Sequence, residues 1–238
     1  MKKRIVWGVI WGALFGGFTY LVKTYDVAPI GPMDTEVGFA RINQRVHIIT
    51  GVNMNWFEST ELLGYAAIGV AALFALVGLF QMIRRKSLFK VDKEIIGLGV
   101  LFVVVIGFYV LFDKVVINYR PVVMPGETFP EPSYPSSHTM LIITVMGATI
   151  MLLKRYLKKG FLRGLIWFVL FLTILVTIGG RLYSGVHWCT DIVGGVLLSA
   201  SLLDFYEAFL CSCRKQRHKA NAGGSEGKSG DDEYFPKH

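Results

Sequence analysis

Long apolar runs alternate with short polar segments along this chain of 238 residues. Because an α-helix rises about 1.5 Å per residue, about 18 to 20 apolar residues cross a hydrocarbon core of about 30 Å. Six runs meet or approach this length, and the shorter fourth and fifth runs are expected to include flanking residues. The runs lie at 5–22, 62–83, 95–112, 139–153, 164–178 and 192–210. The pattern predicts an all-α fold, a bundle of six transmembrane helices.

The composition also favours a membrane protein. Hydrophobic residues make up 53% of the chain, and the mean hydropathy is +0.49, which is too apolar for an ordinary soluble domain of this size. The first run follows three basic residues and so resembles a signal peptide. No small-x-small cleavage site follows it, and we therefore expect it to remain as a helix.

Basic residues cluster in alternate loops, and this pattern predicts the topology. The clusters are Lys2, Lys3 and Arg4; Arg84, Arg85, Lys86, Lys90 and Lys93; Lys154, Arg155, Lys158, Lys159 and Arg163; and Arg214, Lys215, Arg217 and Lys219. The other three loops carry few basic residues. By the positive-inside bias, both termini are predicted to be cytoplasmic in a multi-pass protein of the cell membrane. The net charge of +8 thus reflects topology, and a nucleic-acid-binding surface is not expected.

The first outer loop, residues 23–61, contains a short amphipathic pattern. Apolar residues recur at spacings of three, four and three, while Arg41 and Arg45 take another face. The apolar positions are Phe39, Ile42, Val46 and Ile49. This pattern predicts a helical segment lying in the membrane interface. The role of the loop stays open between a lid, a guide for lipid entry and passive packing, and His47 within it is interpreted as a surface histidine.

The end of the chain is polar. Residues 221–238 are rich in Gly, Ser, Asp, Glu and Lys, which predicts a membrane domain at 1–213 and a disordered cytoplasmic tail at 214–238. The three cysteines, Cys189, Cys211 and Cys213, form neither a metal-binding pattern nor an extracellular pair.

Polar residues suited to chemistry lie at the outer ends of three predicted helices. They are Lys114, Arg120, Ser136, His138, Arg181, His187 and Asp191. His187 and Asp191 are four residues apart, so that a helix beginning near His187 would place the imidazole and the carboxylate on one face. We interpret His187 as a nucleophile oriented by Asp191, and His138 as a general acid.

Three cations and two histidines indicate a phosphate site. The cations would neutralise phosphate oxygens that gain charge in the transition state. Two histidines and an aspartate could also bind zinc, but the three nearby cations would repel a divalent ion, and few carboxylates are available for magnesium. We therefore expect no metal and no other cofactor.

Three sequence motifs in register resemble those of the type 2 phosphatidic acid phosphatase (PAP2) superfamily. The motifs are Lys-x6-Arg-Pro at 114–121, Pro-Ser-Ser-His at 135–138 and Arg-x5-His-x3-Asp at 181–191. The resemblance implies phosphate binding by Lys114, Arg120, Ser136, His138 and Arg181. It also implies that His138 is the acid, that His187 is the nucleophile supported by Asp191, and that no metal is required.

Two positions depart from the usual motifs of that superfamily. Ser137 stands where glycine is common and would add a side chain beside the phosphate. Gly180 stands where serine is common, which removes a hydroxyl donor that Ser184 or a backbone N–H could replace.

The resemblance implies a membrane lipid phosphate phosphatase that acts at the outer face through a phosphohistidine. Undecaprenyl diphosphate is the first expected substrate, because recycling of this carrier requires an outward-facing phosphatase. Phosphatidylglycerophosphate, phosphatidic acid and lipid A phosphate follow. A lipid-to-lipid phosphotransferase and a non-catalytic lipid-binding or transport protein are the alternatives, and the sequence leaves the oligomeric state open.

Overall fold

A computed structural model describes the backbone of residues 1–226 and the side chains of residues 1–154 and 156–217. This part of the chain forms seven α-helices. They are α1 Lys2–Thr24, α2 Ala40–Thr50, α3 Met54–Arg85, α4 Lys93–Lys114, α5 Ser137–Tyr156, α6 Phe161–Tyr183 and α7 Cys189–Glu226. All except α2 are long and apolar enough to cross a membrane, which confirms the predicted fold of six spans with an additional segment in the first long loop.

The helices extend beyond the apolar runs that predict them. Helix α3 begins at Met54, well before the apolar run at 62–83, because Asn53 caps its N-terminus by accepting a hydrogen bond from the Trp56 N–H. Helix α7 continues to Glu226, past the predicted domain boundary at residue 214. The rest of the predicted disordered tail, residues 227–238, lies outside the described residues.

Helices α5 and α7 are the most buried of the spans, and α1 packs along α7. Close approach of α1 to α7 depends on Gly8, where an added Cβ atom would lie 3.1 Å from the ring of Phe205. At the same crossing the Ser201 hydroxyl donates a hydrogen bond of 2.8 Å to the Gly8 carbonyl. Small residues let two helix backbones meet in this way inside a membrane.

Ion pairs join the helix ends that carry the basic clusters. Arg4 on α1 contacts Asp204 and Glu207 on α7, at 2.8 and 2.9 Å. Arg217 on α7 lies 3.4 Å from Glu94, near the start of α4. We call this the basic end of the bundle. The residues of the three motifs lie at the opposite end.

Helix α2 forms where the amphipathic pattern predicts it, but a polar side chain fixes it to the protein. Asn43 is buried, and its amide donates to the Gly38 carbonyl and to the Thr190 hydroxyl at 2.8 and 3.0 Å. Its Oδ1 accepts from the Thr190 N–H at 3.3 Å. Ile42 and Ile49 instead face outward, where a membrane interface would cover them.

His47, interpreted as a surface histidine, is only partly exposed. Its ring is partly buried, with its centroid 5.5 Å from that of Trp188. This burial lowers the pKa of His47 below its ordinary value. His47 points inward because it lies one turn after Asn43 on the face of α2 that contacts α7.

Replacing Asn43 should destabilise the protein by about 1–3 kcal/mol, because Asn43→Ala removes the acceptor of the buried Thr190 N–H. Gln44→Ala is the matched control, since Gln44 is the exposed neighbour on the same helix, and its effect should stay within about 0.5 kcal/mol. Denaturant titration in detergent micelles would measure both free energies of unfolding. Equal values for the two variants would contradict the anchoring role of Asn43.

Candidate active site

Four segments bring the predicted site residues together at one end of the bundle. His138 lies in the first turn of α5, and Arg181 lies in the last turn of α6. His187 belongs to the short loop after α6, and Asp191 to the first turn of α7. Arg120 comes from the long loop between α4 and α5.

The loop between α4 and α5 is folded back onto the site by backbone hydrogen bonds. The Arg120 N–H donates to the Glu131 carbonyl, and the Ser133 N–H donates to the Asn118 carbonyl, both at 2.9 Å. The indole of Trp188 donates to the Tyr119 carbonyl at 2.7 Å, which ties this loop to the segment that carries His187. Arg120 is therefore held next to the third motif.

Ser136 caps helix α5 and links two of the motifs. Its hydroxyl oxygen accepts hydrogen bonds from the Thr139 N–H and the Thr139 hydroxyl, at 3.5 and 3.0 Å. Its own backbone N–H donates to the Asp191 carbonyl at 2.9 Å. Because the cap uses the oxygen as an acceptor, the Ser136 O–H remains able to donate to an anion at the positive end of α5. Ser137 is the first residue of the helix, and its side chain is partly buried.

His187 and Asp191 form the predicted pair. Nδ1 of His187 lies 3.5 Å from Oδ2 of Asp191, a distance at the long end of hydrogen bonding that would shorten as the site tightens around a substrate. The carboxylate is held in place by the Asn118 amide at 3.2 Å and by the Trp188 N–H at 3.0 Å. Both ring nitrogens of His187 are buried without a hydrogen-bond partner, and because Nδ1 faces Asp191, Nε2 is the nitrogen available for attack.

His187 is surrounded by cations and is itself neutral. Burial, followed by the charges of Arg120, Arg181 and His138, lowers the pKa of His187 well below its ordinary value. These interactions place the two arginines and both histidines in one electrostatic neighbourhood. A neutral imidazole keeps the lone pair that a nucleophile needs.

The two arginines carry donors that no protein group satisfies. Arg181 is 0% exposed, and one guanidinium nitrogen, Nη2, bonds to Glu61 at 2.8 Å. Nε and Nη1 of Arg181 and Nη1 of Arg120 are buried without partners. Buried polar groups are otherwise hydrogen-bonded in proteins, because an unmade bond costs about 1–3 kcal/mol. Unpartnered guanidinium donors around a histidine therefore indicate a site for an oxyanion.

The structure does not bring Lys114 into this cluster. Its side chain is 77% exposed, and its Nζ pairs with Asp113 at 2.9 Å. Lys114 is the last residue of α4, so it precedes the loop that returns Arg120 to the site. Of the seven residues expected to converge, Lys114 is thus the one that points away.

Ser184 does not replace the hydroxyl that is missing at position 180. Its Oγ donates to the Arg181 carbonyl at 2.8 Å and closes the end of α6. Gly180 has a packing role, because an added Cβ atom would lie 2.6 Å from Thr60 and 3.0 Å from Trp56 on α3. Absence of a side chain at position 180 lets α6 approach α3 beside Arg181.

Sequence reasoning missed Glu61, Gly64 and Asn118. Oε2 of Glu61 lies 3.2 Å from Nε2 of His138, and its other oxygen binds Arg181. Gly64, three residues later on α3, leaves room for His138, because an added Cβ atom would come 2.7 Å from the imidazole Cδ2. Glu61 directly precedes the apolar run at 62–83, and a carboxylate at that position could have indicated a site residue at the start of a span. The sequence reading placed Glu61 in the outer loop instead.

The same residues suit an anion better than a metal ion. Within the described part of the chain, no three His, Cys, Asp or Glu side chains are grouped closely enough to hold a metal ion. The donors that converge on the site are mainly cationic or N–H groups, which suit an anion.

Comparisons with known proteins agree with this arrangement. The family model described as PAP2 superfamily matches residues 95–206. No curated protein matches the sequence. Among solved structures, the chain is similar to "the first transmembrane PAP2 type phosphatidylglycerolphosphate phosphatase from Bacillus subtilis", with 20% identity and a TM-score of 0.57. The match covers 85% of this chain and 95% of the other, and at this identity it shows the fold alone.

Inorganic phosphate should stabilise the protein against heat, because it would satisfy the free donors of Arg120 and Arg181. At ten times its Kd, a ligand specific for the folded state adds about 1.4 kcal/mol. Arg120→Gln should raise the Kd at least about tenfold. Arg41→Gln is the control and should leave the Kd unchanged, because Arg41 is exposed and pairs with Asp26 through Nε at 3.0 Å, just as Arg120 pairs with Glu131. Thermal unfolding in detergent across a phosphate titration measures both, and equal shifts for the two variants would contradict the assignment.

Proposed function

We propose that this chain, whose residues 95–206 match the PAP2 superfamily model, is a metal-independent membrane phosphatase that hydrolyses a lipid diphosphate or monophosphate. Undecaprenyl diphosphate is the first proposed substrate, because an outward-facing phosphatase is needed to recycle that carrier. The observation that carries the proposal is the set of unpartnered donors on Arg120 and Arg181 around the buried nucleophile His187.

The first chemical step forms a covalent intermediate. Nε2 of His187 attacks phosphorus, a P–N bond forms, and the bond between phosphorus and the departing oxygen breaks. Arg120 and Arg181 neutralise the phosphoryl oxygens as charge moves onto them. His138 gives a proton to the departing oxygen, which leaves with the electron pair of the broken bond.

The second step releases phosphate. Water attacks the phosphohistidine, the P–N bond breaks, and its electron pair returns to His187. His138, now neutral, accepts the proton that the water loses, so the protein returns to its starting state. Asp191 stabilises the positive charge that His187 carries while phosphorylated.

An apolar groove between α3 and α4 supports a lipid substrate. It has a volume of about 300 Å³ and runs from Ala71 and Phe102, near the middle of the two helices, to Leu88 and Val91 at the basic end. Ala71 follows Gly64 by two helical turns, or about 10 Å, along the helix that carries Glu61. A phosphate held by the arginines could therefore extend its hydrocarbon tail sideways into this groove, and the tail would be bound by apolar contact.

The bundle also supports the proposed orientation. The basic end would lie in the cytoplasm with both termini, and the site would face outward in the cell membrane. Phosphatidylglycerophosphate is the second candidate substrate, because the similar Bacillus subtilis structure is titled as a phosphatase of that lipid. Phosphatidic acid and lipid A phosphate follow. Lipid-to-lipid phosphotransfer would use the same phosphohistidine with a different acceptor, and a role in lipid binding or transport would leave the phosphate intact.

Purified protein in detergent, with EDTA present, should release inorganic phosphate from undecaprenyl diphosphate faster than from the other three lipids. His187→Asn should lower the rate by about 10³-fold or more, since the nucleophile is lost. Vanadate should inhibit the wild type by taking the geometry of phosphoryl transfer. Transfer of the phosphoryl group to an added lipid acceptor, with no release of inorganic phosphate, would favour the phosphotransferase. Near-normal activity of the folded variant would remove His187 from its role.

Gly64→Ala should slow the reaction about 10²-fold without unfolding the protein, because the new methyl group must displace the imidazole of His138, and a shift of about 1 Å can cost that much. Gly69→Ala is the matched control on α3, where an added Cβ atom has no neighbour within 4 Å. Initial rates of phosphate release, together with thermal unfolding, would separate the two variants. Comparable rates for both would show that the His138 ring tolerates the methyl group.

A further inference from the structure

The site contains a second histidine–carboxylate pair, and its acid lies outside the three motifs. Glu61 on α3 has one carboxylate oxygen 3.2 Å from Nε2 of His138 and the other 2.8 Å from Nη2 of Arg181. Glu58, in the preceding turn of the same helix, is exposed and makes no such contact. Glu61 is therefore the acidic side chain that α3 contributes to the site.

The two histidines are arranged alike. His187 has Nδ1 toward the carboxylate of Asp191, and its Nε2 is buried without a partner. His138 has Nε2 toward Glu61, and its Nδ1 is buried without a partner. In each ring, the nitrogen that faces the carboxylate fixes the orientation, and the other nitrogen is available for chemistry.

We propose, on the basis of the phosphatase function above, that Glu61 is the positioning residue of the proton-donating step. It accepts the Nε2–H of His138 and so presents Nδ1–H to the departing oxygen. The contribution of Glu61 to the rate is therefore largest for substrates with the poorest leaving groups. Glu61 thus determines how well the enzyme hydrolyses lipid monophosphates relative to lipid diphosphates.

The chemistry follows from the proton balance. Doubly protonated His138 keeps Nε2–H on Glu61 and transfers the Nδ1 proton as the bond from phosphorus to the departing oxygen breaks. A monophosphate ester of an alcohol would otherwise lose an alkoxide, a strong base that departs slowly without a proton. A lipid diphosphate loses a lipid monophosphate, which is a weak base and departs without that help.

Glu61 also contacts Arg181, and a purely structural role there makes a different prediction. If Glu61 only held the guanidinium in place, its removal would weaken phosphate binding and slow every substrate by the same factor. A role through His138 instead separates substrates by leaving group. It also leaves KM unchanged or lowered, because a negative charge beside the phosphate is removed.

The test compares Glu61→Gln with the control Glu58→Gln on three substrates: an alkyl or lipid monophosphate, a lipid diphosphate and p-nitrophenyl phosphate. For Glu61→Gln, kcat should fall about 10²-fold with the monophosphate ester, which is within the range for loss of general acid catalysis. It should fall less than about threefold with the other two, whose leaving groups need no proton. The control should match the wild type throughout.

Glu61→Asp provides a second variant if the glutamine form does not fold. It keeps a negative charge near Arg181 but withdraws the carboxylate from His138 by one methylene. The same substrates should therefore be affected, with a smaller fall in kcat. Equal loss on all substrates, or no loss on any, would overturn the role of Glu61. A wild-type protein that releases phosphate from none of them would overturn the proposed function itself.

Discussion

Burial of the Arg181 guanidinium is the constraint on which the active end of the bundle depends. A cation that is 0% exposed needs compensating groups, because its transfer from water costs several kcal/mol. Glu61 supplies one charge partner, and the ring of Phe57 lies 5.2 Å from the guanidinium. Two nitrogens remain free. A bound phosphate would complete the compensation, so the same feature that is costly in the empty site would give the substrate much of its affinity.

Hydrogen bonds between the motifs hold His187 close to these cations. A hydrogen bond from the Ser136 N–H to the Asp191 carbonyl joins the start of α5 to the start of α7. Asn118 attaches the loop between α4 and α5 to the same place by donating to the Asp191 carboxylate. Helix α2 reaches the same place through Asn43 and Thr190. Because each link ends at or beside Asp191, loosening any of them would disturb the orientation of His187, and the geometry of the site depends on how α2, α5, α7 and the loop between α4 and α5 pack together.

Much of the fold was readable from the sequence because a membrane selects for long apolar runs, and all six spans follow from them. Three motifs also identified the candidate residues Arg120, His138, Arg181, His187 and Asp191. The missed features depend on contacts between distant segments. Spacing along one helix cannot show that Glu61 faces His138, and the apolar pattern of α2 gave no indication that Asn43 would be its anchor. Lys114 is exposed and paired with Asp113, which the motif did not predict, because a motif specifies residue types while the direction of a side chain at a helix end depends on its neighbours.

The glycine before Arg181 has a consequence for how such proteins vary. Position 180 sits against Trp56 and Thr60, and even a Cβ atom there would overlap Thr60. A serine at this position would require smaller side chains at 56 or 60, or a wider separation between the two helices. We therefore expect substitutions at these three positions to be correlated among homologues, so that the residue allowed beside Arg181 depends on side chains more than a hundred residues earlier in the chain.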